Sequence, residues 1–427
     1  MTSSKPAVIT SVSALEILDS RGRPTVQVTA KLADGTVAVA GVPSGASTGS
    51  REAVERRDGD IARYRGLGVL GAVGAVNGEI ADCLTGQEWQ DLAEIDAALI
   101  ELDGMPGKSR LGANAIVGVS MACARAFAHD SGRQLWDWLT PVGVSPRLPV
   151  PHFNVVNGGV HAPNPLDFQE FMIAPLGAKT FPEAVRAGAE VYASLRALLA
   201  DKGHATGLGD EGGFAPQIAE PEEVLEMLVT AIGDAGYVAG RDGVAIALDP
   251  AASEFRGKDG RYRVAGESLT SAEMIERYAQ ITERFPVWLI EDGLAEDDWD
   301  GWAALTQGLG ERIQLVGDDI FVTNPAIIAE AISRGVGNAA LIKVNQIGTV
   351  TETLSAIATC RDAGYAQFVS HRSGETTDTF IADLAVSAGC GELKTGAPAR
   401  GERVAKYNRL LEIAAAEPAM PYGLVSS

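Results

Sequence analysis

The sequence has little cysteine, no long apolar run and no excess of basic residues, and each shortage excludes a class of protein. The four cysteines among 427 residues form no Cys-x-x-Cys pair, which predicts neither a disulfide framework nor a zinc or redox motif. No stretch reaches the ~18 consecutive apolar residues of a membrane-spanning helix, and the N-terminus lacks the basic and apolar segments of a signal peptide. We therefore expect a soluble protein of the cytoplasm without a membrane span.

The charge balance is strongly acidic. Lysine and arginine number 35 against 56 aspartates and glutamates, a formal net charge of −21, which argues against sequence-independent binding to nucleic acid or anionic membranes. An anionic ligand would need a local cluster of positive charge. A hydrophobic content of 46% with 21% charged residues is ordinary for a globular protein, and a chain of this length predicts one large and one smaller domain.

The N-terminal part of the chain predicts an α+β domain, because strand patterns come first and helical patterns follow. Alternating apolar residues indicate three strands, at 7–18, 24–32 and 36–42. Asp34-Gly35 is the predicted hairpin turn between the last two. Helical periodicity follows near 70–84, 91–101 and 112–128. Four prolines between positions 141 and 151 mark a junction, so we predict an N-terminal domain of residues 1–140 and a catalytic domain of residues 141–427.

In the catalytic domain, short apolar runs alternate with amphipathic helical patterns, and each run carries a polar residue towards its end. These residues are Glu170, Glu211, Asp249, Glu291, Asp318, Lys343 and the group His371, Arg372 and Ser373. They are 25 to 42 residues apart, which is enough for a strand, a helix and two loops. We therefore predict serial βα units in a (β/α)8 barrel, whose active site lies at the C-terminal ends of the strands. A doubly wound sheet is the alternative, but it binds ligands at one switch point.

Three of the acids predict a metal site. Asp249, Glu291 and Asp318 end consecutive apolar runs, so a barrel directs them to one central volume. Three carboxylates in a dry site need a cation, and oxygen ligands favour Mg²⁺. The alternative, that each acid only caps the following helix, is favoured for a single acid but not for three in register. Glu291-Asp292 and Asp318-Asp319 are doubled, and the pattern does not decide which member faces inward.

Lys343 interrupts an apolar run, "AALIKV", in which a charge is unexpected. A free lysine titrates near 10.4 and is a poor base at neutral pH. Burial, a bound metal and a second cation would all lower its pKa, and Lys394 is the candidate for that cation. The alternative is a structural ion pair with one of the acids.

The remaining polar segments predict an anion grip and an acid. Arg372 beside the Ser373 hydroxyl can hold a phosphate group. Glu211 lies in a Gly-rich turn, "DEGG", which suits a carboxyl group that approaches a ligand closely. The segments "NGGVHA" and "PSGASTGS" predict plain loops on composition alone. A metal, a lysine base, a separate carboxyl group and an anion grip together are suited to removing a proton α to a carboxylate.

A dozen short segments carry a resemblance to a known family. They are "DSRGRPTVQV", "VPSGASTG", "NVVNGG", "QEFMIAP", "GDEGGFAP", "SEF", "IED", "GDD", "VTNP", "KVNQIGT", "SHRSGET" and "KTGAPAR". In these segments, and in their order from end to end, the chain resembles the enolases. Sites of the enolase superfamily use a lysine or histidine base with one or two Mg²⁺ ions.

The resemblance implies a role for each site residue. Lys343 is implied as the base that removes the C2 proton of 2-phosphoglycerate, and Glu211 as the acid that protonates the departing 3-hydroxyl group. The implied ligands of a first Mg²⁺ are Asp249, Glu291 and Asp318, the first members of the doubled pairs. Ser44 is implied as a lid contact to a second Mg²⁺ that arrives with the substrate. The implied substrate pocket contains His161, Gln169, Glu170, His371, Arg372, Ser373 and Lys394.

The implied activity is the reversible dehydration of 2-phospho-D-glycerate to phosphoenolpyruvate in glycolysis and gluconeogenesis, a lyase reaction with two Mg²⁺ per active site. The implied fold is a ββαα(βα)6 barrel preceded by a smaller α+β domain with a lid loop, in a homodimer or an octamer. Gln27 replaces a common Glu in a segment that resembles the family's dimer contact, which indicates an altered interface. The alternatives are a Mg²⁺-dependent dehydratase of another acid, such as a sugar acid, and a scaffold role with a surface or secreted pool. The anion grip disfavours the first, and the complete catalytic set disfavours the second.

Overall fold

A computed structural model describes residues 6–46 and 48–424. The N-terminal part contains an antiparallel sheet in the order β3-β2-β1-β4, with strands β1 (Ala7–Leu18), β2 (Pro24–Leu32), β3 (Val37–Gly41) and β4 (Glu88–Trp89). Its helices are α1 (Leu70–Ala75), α2 (Ala81–Leu84), α3 (Leu92–Asp103), α4 (Ala113–Asp130) and α5 (Leu135–Leu139), with a π-helical turn at Val76–Ile80 between α1 and α2. The three predicted strands, the hairpin and the three helical regions are confirmed.

The alternation of buried and more exposed residues along β2 explains how this sheet packs. Val26, Val28 and Ala30 are fully buried on one face of the strand, and α4 lies against that face. A Cβ atom at Gly118 of α4 would lie 2.7 Å from the Val28 side chain, so glycine at this position permits the close approach of helix and sheet. The predicted domain boundary, after residue 140, falls in the segment that follows α5.

The second part of the chain is a closed eight-stranded barrel. Its strands are β5 (Val150–Asn157), β6 (Glu170–Ala174), β7 (Ala245–Asp249), β10 (Val287–Glu291), β11 (Gln314–Gly317), β12 (Ala339–Ile342), β13 (Ala366–Ser370) and β14 (Glu392–Lys394). A small hairpin, β8 (Tyr262–Val264) and β9 (Glu267–Leu269), lies outside it. Closure confirms the predicted barrel and excludes the doubly wound alternative.

Helices surround the barrel. They are α6 (Phe181–Asp201), α7 (Pro221–Asp234), α8 (Ser271–Arg284), α9 (Trp299–Leu309), α10 (Pro325–Arg334), α11 (Val344–Ile347), α12 (Val350–Asp362), α13 (Phe380–Ala388) and α14 (Gly401–Ala416), with 3₁₀ turns at Gly159–His161 and Ala252–Phe255. A further 3₁₀ turn, Tyr64–Gly66, belongs to the N-terminal part. Their starts follow local signals, such as the capping box of Thr270 and Glu273 before α8. Among the described residues, no helix combines the length and apolar character needed to cross a membrane.

Two of the predicted polar residues, Glu170 and Glu211, lie at the barrel mouth although neither is at the C-terminal end of a strand that a helix follows. Glu170 is the first residue of β6, and β6 runs antiparallel to both β5 and β7. Its first residue therefore lies beside the last residue of β7, Asp249. Glu211 lies on no strand, because it belongs to the loop between α6 and α7. The expectation of serial βα units is wrong for this part of the chain, whereas the ββαα(βα)6 order implied by the family resemblance is confirmed.

The end of the barrel opposite the mouth contains a buried carboxyl group. Glu392, the first residue of β14, is 2% exposed, and its Oε2 accepts a 2.8 Å hydrogen bond from Gln314 Nε2. The side chain also lines a cavity of about 560 Å³. Burial raises the pKa of Glu392 from 4.5 to about 8, so the folded protein holds this proton at pH values where the unfolded chain has lost it.

We expect Glu392→Gln to stabilise the protein at alkaline pH. The contribution of the wild-type carboxyl group to stability is fully present below the pKa of the unfolded chain, 4.5, and is lost as the pH rises through about 8. Above that pH the buried carboxylate lowers the free energy of unfolding by an amount on the order of 5 kcal/mol, and the neutral amide does not. Urea denaturation at about pH 5 and about pH 9 measures the difference.

The matched control for this comparison is Glu412→Gln. The Glu412 side chain is 69% exposed on α14, and its replacement should leave the free energy of unfolding nearly unchanged at both pH values. An effect of Glu392→Gln that is equal at both pH values would contradict the prediction, because a change of packing alone does not follow the ionisation of one carboxyl group.

Candidate active site

A small cavity at the barrel mouth is lined almost wholly by polar and charged side chains. Ten of the predicted site residues line it: His161, Gln169, Glu170, Glu211, Asp249, Lys343, His371, Arg372, Ser373 and Lys394. All ten are at most 8% exposed. Glu291 and Asp318 join the same cluster through contacts with Lys394 and Lys343. The structure therefore brings twelve of the predicted residues together, and Ser44 is the exception.

Lys394 lies at the centre of the acids. Its Nζ is 2.7 Å from Glu291 Oε1 and 3.4 Å from carboxylate oxygens of Glu170 and Asp249. Burial alone would lower the pKa of Lys394, but the charges of Glu170 and Glu291 outweigh burial and raise it well above its usual value. The residue is therefore a permanent cation that partly neutralises three buried carboxylates.

Lys343 follows β12 and contacts Asp318 through its Nζ. The lysine is held in place by its backbone N–H, which donates a 2.9 Å hydrogen bond to Thr323 Oγ1. Burial is the largest influence on the pKa of Lys343 and lowers it, but the Asp318 carboxylate raises it, and the pKa lies above its usual value. The side chains alone therefore raise the pKa of Lys343. The predicted lowering of this pKa depends on a metal that offsets the charge of Asp318.

The first and second members of the doubled acid pairs make different contacts. Glu291 and Asp318 contact the two lysines. Asp292 instead accepts 2.9 Å hydrogen bonds from the backbone N–H groups of Asp318 and Asp319. It does so with a φ of 41°, a left-handed conformation that is strained for a residue with a side chain. Asp292 therefore holds the turn that positions Asp318. Carboxylate oxygens of Asp292, Asp318 and Asp319 lie within 4.8 Å of one another, so this turn is a second group of acids suited to a metal.

Glu211 is surrounded by neutral donors and by a second acid. Its Oε2 accepts a 2.9 Å hydrogen bond from Asn154 Nδ2 and lies 3.2 Å from His371 Nε2. Single ligand atoms of Glu211, His161 and Glu170 lie within 4.8 Å of one another. Burial, and then the charge of Glu211, raises the pKa of Glu170 well above its usual value. Burial would raise the pKa of Glu211 as well, but His371 and His161 lower it well below its usual value. Two acids so close together are not both ionised at low cost, so Glu170 is the member of the pair that holds a proton.

The predicted anion grip, Arg372 and Ser373, is held by the N-terminal domain. Arg372 Nη1 and Nη2 each donate a 3.0 Å hydrogen bond to the carboxylate of Glu52. Arg21 Nη1 donates a 3.1 Å hydrogen bond to Ser373 Oγ. Because a guanidinium group only donates, Ser373 Oγ is the acceptor, and its own proton remains available to an anionic ligand.

Two family models match the chain. "Enolase, N-terminal domain" matches residues 9–139, and "Enolase, C-terminal TIM barrel domain" matches residues 145–419. The chain belongs to the enolase family. An enolase of Acidothermus cellulolyticus (strain ATCC 43068 / DSM 8971 / 11B) is 56% identical over 407 residues, which are 95% of this chain and 94% of the relative.

Membership of the enolase family confirms the predicted reaction. The activity is that of a glycolytic hydro-lyase, phosphopyruvate hydratase, and its substrate is a small phosphorylated acid. Dependence on Mg²⁺ is the property of the family, and the acidic groups at the barrel mouth suit such an ion.

Ser44, which the resemblance implies as a lid contact to a second Mg²⁺, does not line the cavity at the barrel mouth. Its backbone N–H donates a 2.7 Å hydrogen bond to the Gly374 carbonyl oxygen. Its hydroxyl group donates to Glu55 Oε2 at 3.2 Å and accepts from Arg57 Nη2 at 2.8 Å. Within the described residues, the hydroxyl group is thus engaged by the N-terminal domain, and its contact to a second ion stays a prediction. The next residue, Gly45, lies so close to Arg372 that a Cβ atom would be 2.2 Å from its Nη2.

Four residues of this enolase site were missed by the sequence reasoning: Arg21, Glu52, Asn154 and Arg403. Arg21 and Asn154 lie inside segments that carry the family resemblance, "DSRGRPTVQV" and "NVVNGG". The resemblance therefore covers both positions, although no role was predicted for them. Glu52 and Arg403 lie just outside such segments. Their contacts with the site join residues far apart in the chain, and no local pattern predicts them.

Proposed function

We propose that Lys343 and Glu211 make the two proton transfers of the phosphopyruvate hydratase reaction. The observation that carries this proposal is their position on one small buried cavity, reached from different parts of the barrel wall. Lys343 follows β12, and Glu211 is held by Asn154 of β5, three strands away. A base and an acid on separate elements can act on neighbouring carbon atoms of one substrate.

The two residues take complementary parts in the reaction. Lys343, in its neutral form, takes the proton from C2 of 2-phosphoglycerate, and the electron pair of that C–H bond remains on the substrate. Glu211 receives a proton from its neighbour Glu170, whose raised pKa keeps it protonated, and gives a proton to the 3-hydroxyl group as the C3–O bond breaks. The electron pair left at C2 forms the new double bond, so the products are phosphoenolpyruvate and water. Each residue returns to its starting state by exchanging one proton with solvent.

The acids at the barrel mouth fit a hard divalent cation. Three carboxylates surround the single ammonium group of Lys394, and Glu291 Oε2 is buried with no hydrogen-bond partner among the described residues. Such an orphaned oxygen is costly unless a cation uses it. We assign Asp249, Glu291 and Asp318 as ligands of a first Mg²⁺ and expect a second ion to enter with the substrate. Bound Mg²⁺ would stabilise the negative charge that develops on the substrate carboxylate.

The other residues of the cavity bind the substrate. Arg372 and Ser373 suit the phosphate group, since a guanidinium fork and a hydroxyl proton match its oxygens. The phosphate group would replace the Glu52 carboxylate, which the fork of Arg372 binds in this structure. Lys394 suits the substrate carboxylate as a permanent cation on the cavity wall, and His161, Gln169, Glu170 and His371 complete the wall. The same anion grip favours a phosphorylated acid over a sugar acid, which has no phosphate group.

The assay that tests the proposal follows the ultraviolet absorbance of phosphoenolpyruvate formed from 2-phosphoglycerate while the Mg²⁺ concentration is varied. We expect a Mg²⁺-dependent signal in the wild type. In Glu291→Gln, which removes one charged ligand, the Mg²⁺ concentration for half-maximal activity should rise by about 10²-fold or more. Calorimetric titration with Mg²⁺ alone should show the same loss of affinity.

Glu330→Gln is the matched control, because the Glu330 side chain is 56% exposed on α10. Its Mg²⁺ dependence should equal that of the wild type. A folded wild type that forms no phosphoenolpyruvate would refute the proposed roles, and an unchanged Mg²⁺ dependence in Glu291→Gln would refute the ligand assignment.

We also propose that the chain assembles as a homodimer or an octamer and is located in the cytoplasm. Support for assembly comes from exposed apolar side chains of the N-terminal domain. Leu15 and Leu18 of β1 are 49% and 55% exposed, and Ile61 is 76% exposed. Burial of such side chains in an interface is favourable. Light scattering that gives the mass of a single 44.5 kDa chain would overturn the assembly proposal.

A further inference from the structure

The two oxygen atoms of Glu211 have different surroundings. Oε2 accepts the hydrogen bond from Asn154 and lies 3.2 Å from His371 Nε2. Oε1 lies 3.8 Å from His161 Nδ1, beyond hydrogen-bond distance. Asn154, which donates to Oε2, and His371, which lies beside it, both belong to the protein wall, so Oε1 is the oxygen left for a reacting group.

The proton of His371 is fixed on Nε2, because Arg403 occupies the other ring nitrogen. Arg403 Nη1 contacts His371 Nδ1, and a guanidinium group has donors but no acceptor. Nδ1 must therefore be an unprotonated acceptor. Burial keeps the ring neutral, since it lowers the pKa of His371 to about 3. A neutral imidazole with an accepting Nδ1 carries its single proton on Nε2, the atom that faces Glu211.

Arg403 also joins two loops of the site. It is fully buried, and Nη1 donates a 2.7 Å hydrogen bond to the carbonyl oxygen of Arg372. Nη2 donates to the carbonyl oxygens of Ser373 at 2.6 Å and Asp210 at 3.1 Å. The guanidinium group thus connects the loop after β13 with the loop that carries Glu211. The ammonium group of a lysine cannot reproduce this planar arrangement of donors.

We propose that Arg403 is a positioning residue for the dehydration step. It fixes the His371 tautomer and the Glu211 loop, so that Oε2 of Glu211 is held by the protein and Oε1 delivers the proton. In that step the O–H bond at Oε1 and the C3–O bond of the substrate break, and the leaving oxygen departs as water. The inference rests on the proposed role of Glu211 as the acid, and Arg403 acts only through its neighbours.

The test compares Arg403→Lys with the wild type on 2-phosphoglycerate and Mg²⁺. One assay follows phosphoenolpyruvate by absorbance, and the other follows exchange of the C2 proton with D₂O by NMR. We expect kcat for phosphoenolpyruvate formation to fall by about 10²-fold with little change in KM, while C2 exchange, which needs only Lys343, persists. Nitrogen-15 NMR should show one His371 tautomer, protonated on Nε2, in the wild type and a mixture in Arg403→Leu, which has no donor for Nδ1.

Two further variants separate positioning from packing. His371→Gln retains an acceptor for Arg403 and a donor for Glu211, so it should form phosphoenolpyruvate faster than His371→Leu. The proposal is overturned if folded Arg403→Lys forms phosphoenolpyruvate at the wild-type rate, or if its phosphoenolpyruvate formation and its C2 proton exchange fall by the same factor. A wild type that shows neither activity would refute the proposed function itself, a result distinct from a defect confined to the variant.

Discussion

Lys343→Ala should reduce phosphoenolpyruvate formation by at least about 10³-fold and should abolish exchange of the C2 proton with solvent. Alanine leaves no base at the end of β12, where the Lys343 ammonium group contacts Asp318. Proton removal from C2 precedes every later step, so both signals should be lost together. Absorbance and deuterium incorporation, measured on the same sample with 2-phosphoglycerate and Mg²⁺, provide the two readouts.

Lys108→Ala is the matched control for the loss of a buried lysine. The Lys108 side chain, in the N-terminal domain, is 4% exposed, and its Nζ lies 3.0 Å from Glu352 Oε1 of α12 in the barrel domain. Its removal should lower the melting temperature without lowering turnover per folded molecule. Circular dichroism establishes that each variant is folded. A folded Lys343→Ala that still exchanged the C2 proton would show that another group is the base.

Glu211→Gln should give a different pattern, in which phosphoenolpyruvate formation falls by about 10³-fold and C2 exchange is retained. The amide preserves the shape of the side chain and can still accept the hydrogen bond from Asn154. It has no proton to give to the leaving hydroxyl group at neutral pH. Deuterium should therefore accumulate at C2 of unreacted 2-phosphoglycerate, which NMR detects directly.

Glu220→Gln provides the control for Glu211→Gln. Glu220 lies just before α7, and its side chain is 58% exposed, so both activities should equal those of the wild type. Parallel loss of exchange and dehydration in Glu211→Gln would mean that the carboxyl group takes part in proton removal, and the assignment of separate base and acid would then be wrong.

The barrel could be predicted because its strands are short, apolar and buried on both faces, and because polar residues recur near their ends. The direction of β6 could not be predicted, since an apolar segment such as "EFMIA" has the same pattern in either direction. The interval from Glu170 to Glu211 is also long enough for a βα unit. It contains a helix and a loop, and only pairing with β5 and β7 decides the strand direction.

The types of residue at the site were predictable, but their pairings were not. Glu52 and Arg372 are 320 positions apart in the chain, and their contact exists only because the N-terminal domain packs on the barrel mouth. The inward member of Glu291-Asp292 depends on the backbone, because Asp292 turns away through a left-handed conformation. Amino-acid propensities do not predict this conformation of Asp292, because the surrounding structure imposes it.

The barrel closes through its shortest strand, β14, where Lys394 lies opposite His152 of β5. This strand is made late in synthesis, after every other strand of the barrel. Until it pairs, Glu170, Asp249 and Glu291 have no central ammonium group, and their mutual repulsion opposes compaction. Barrel closure and charge neutralisation are therefore one event in folding. A nascent chain that has not reached residue 394 retains two open sheet edges, which is the state most exposed to aggregation.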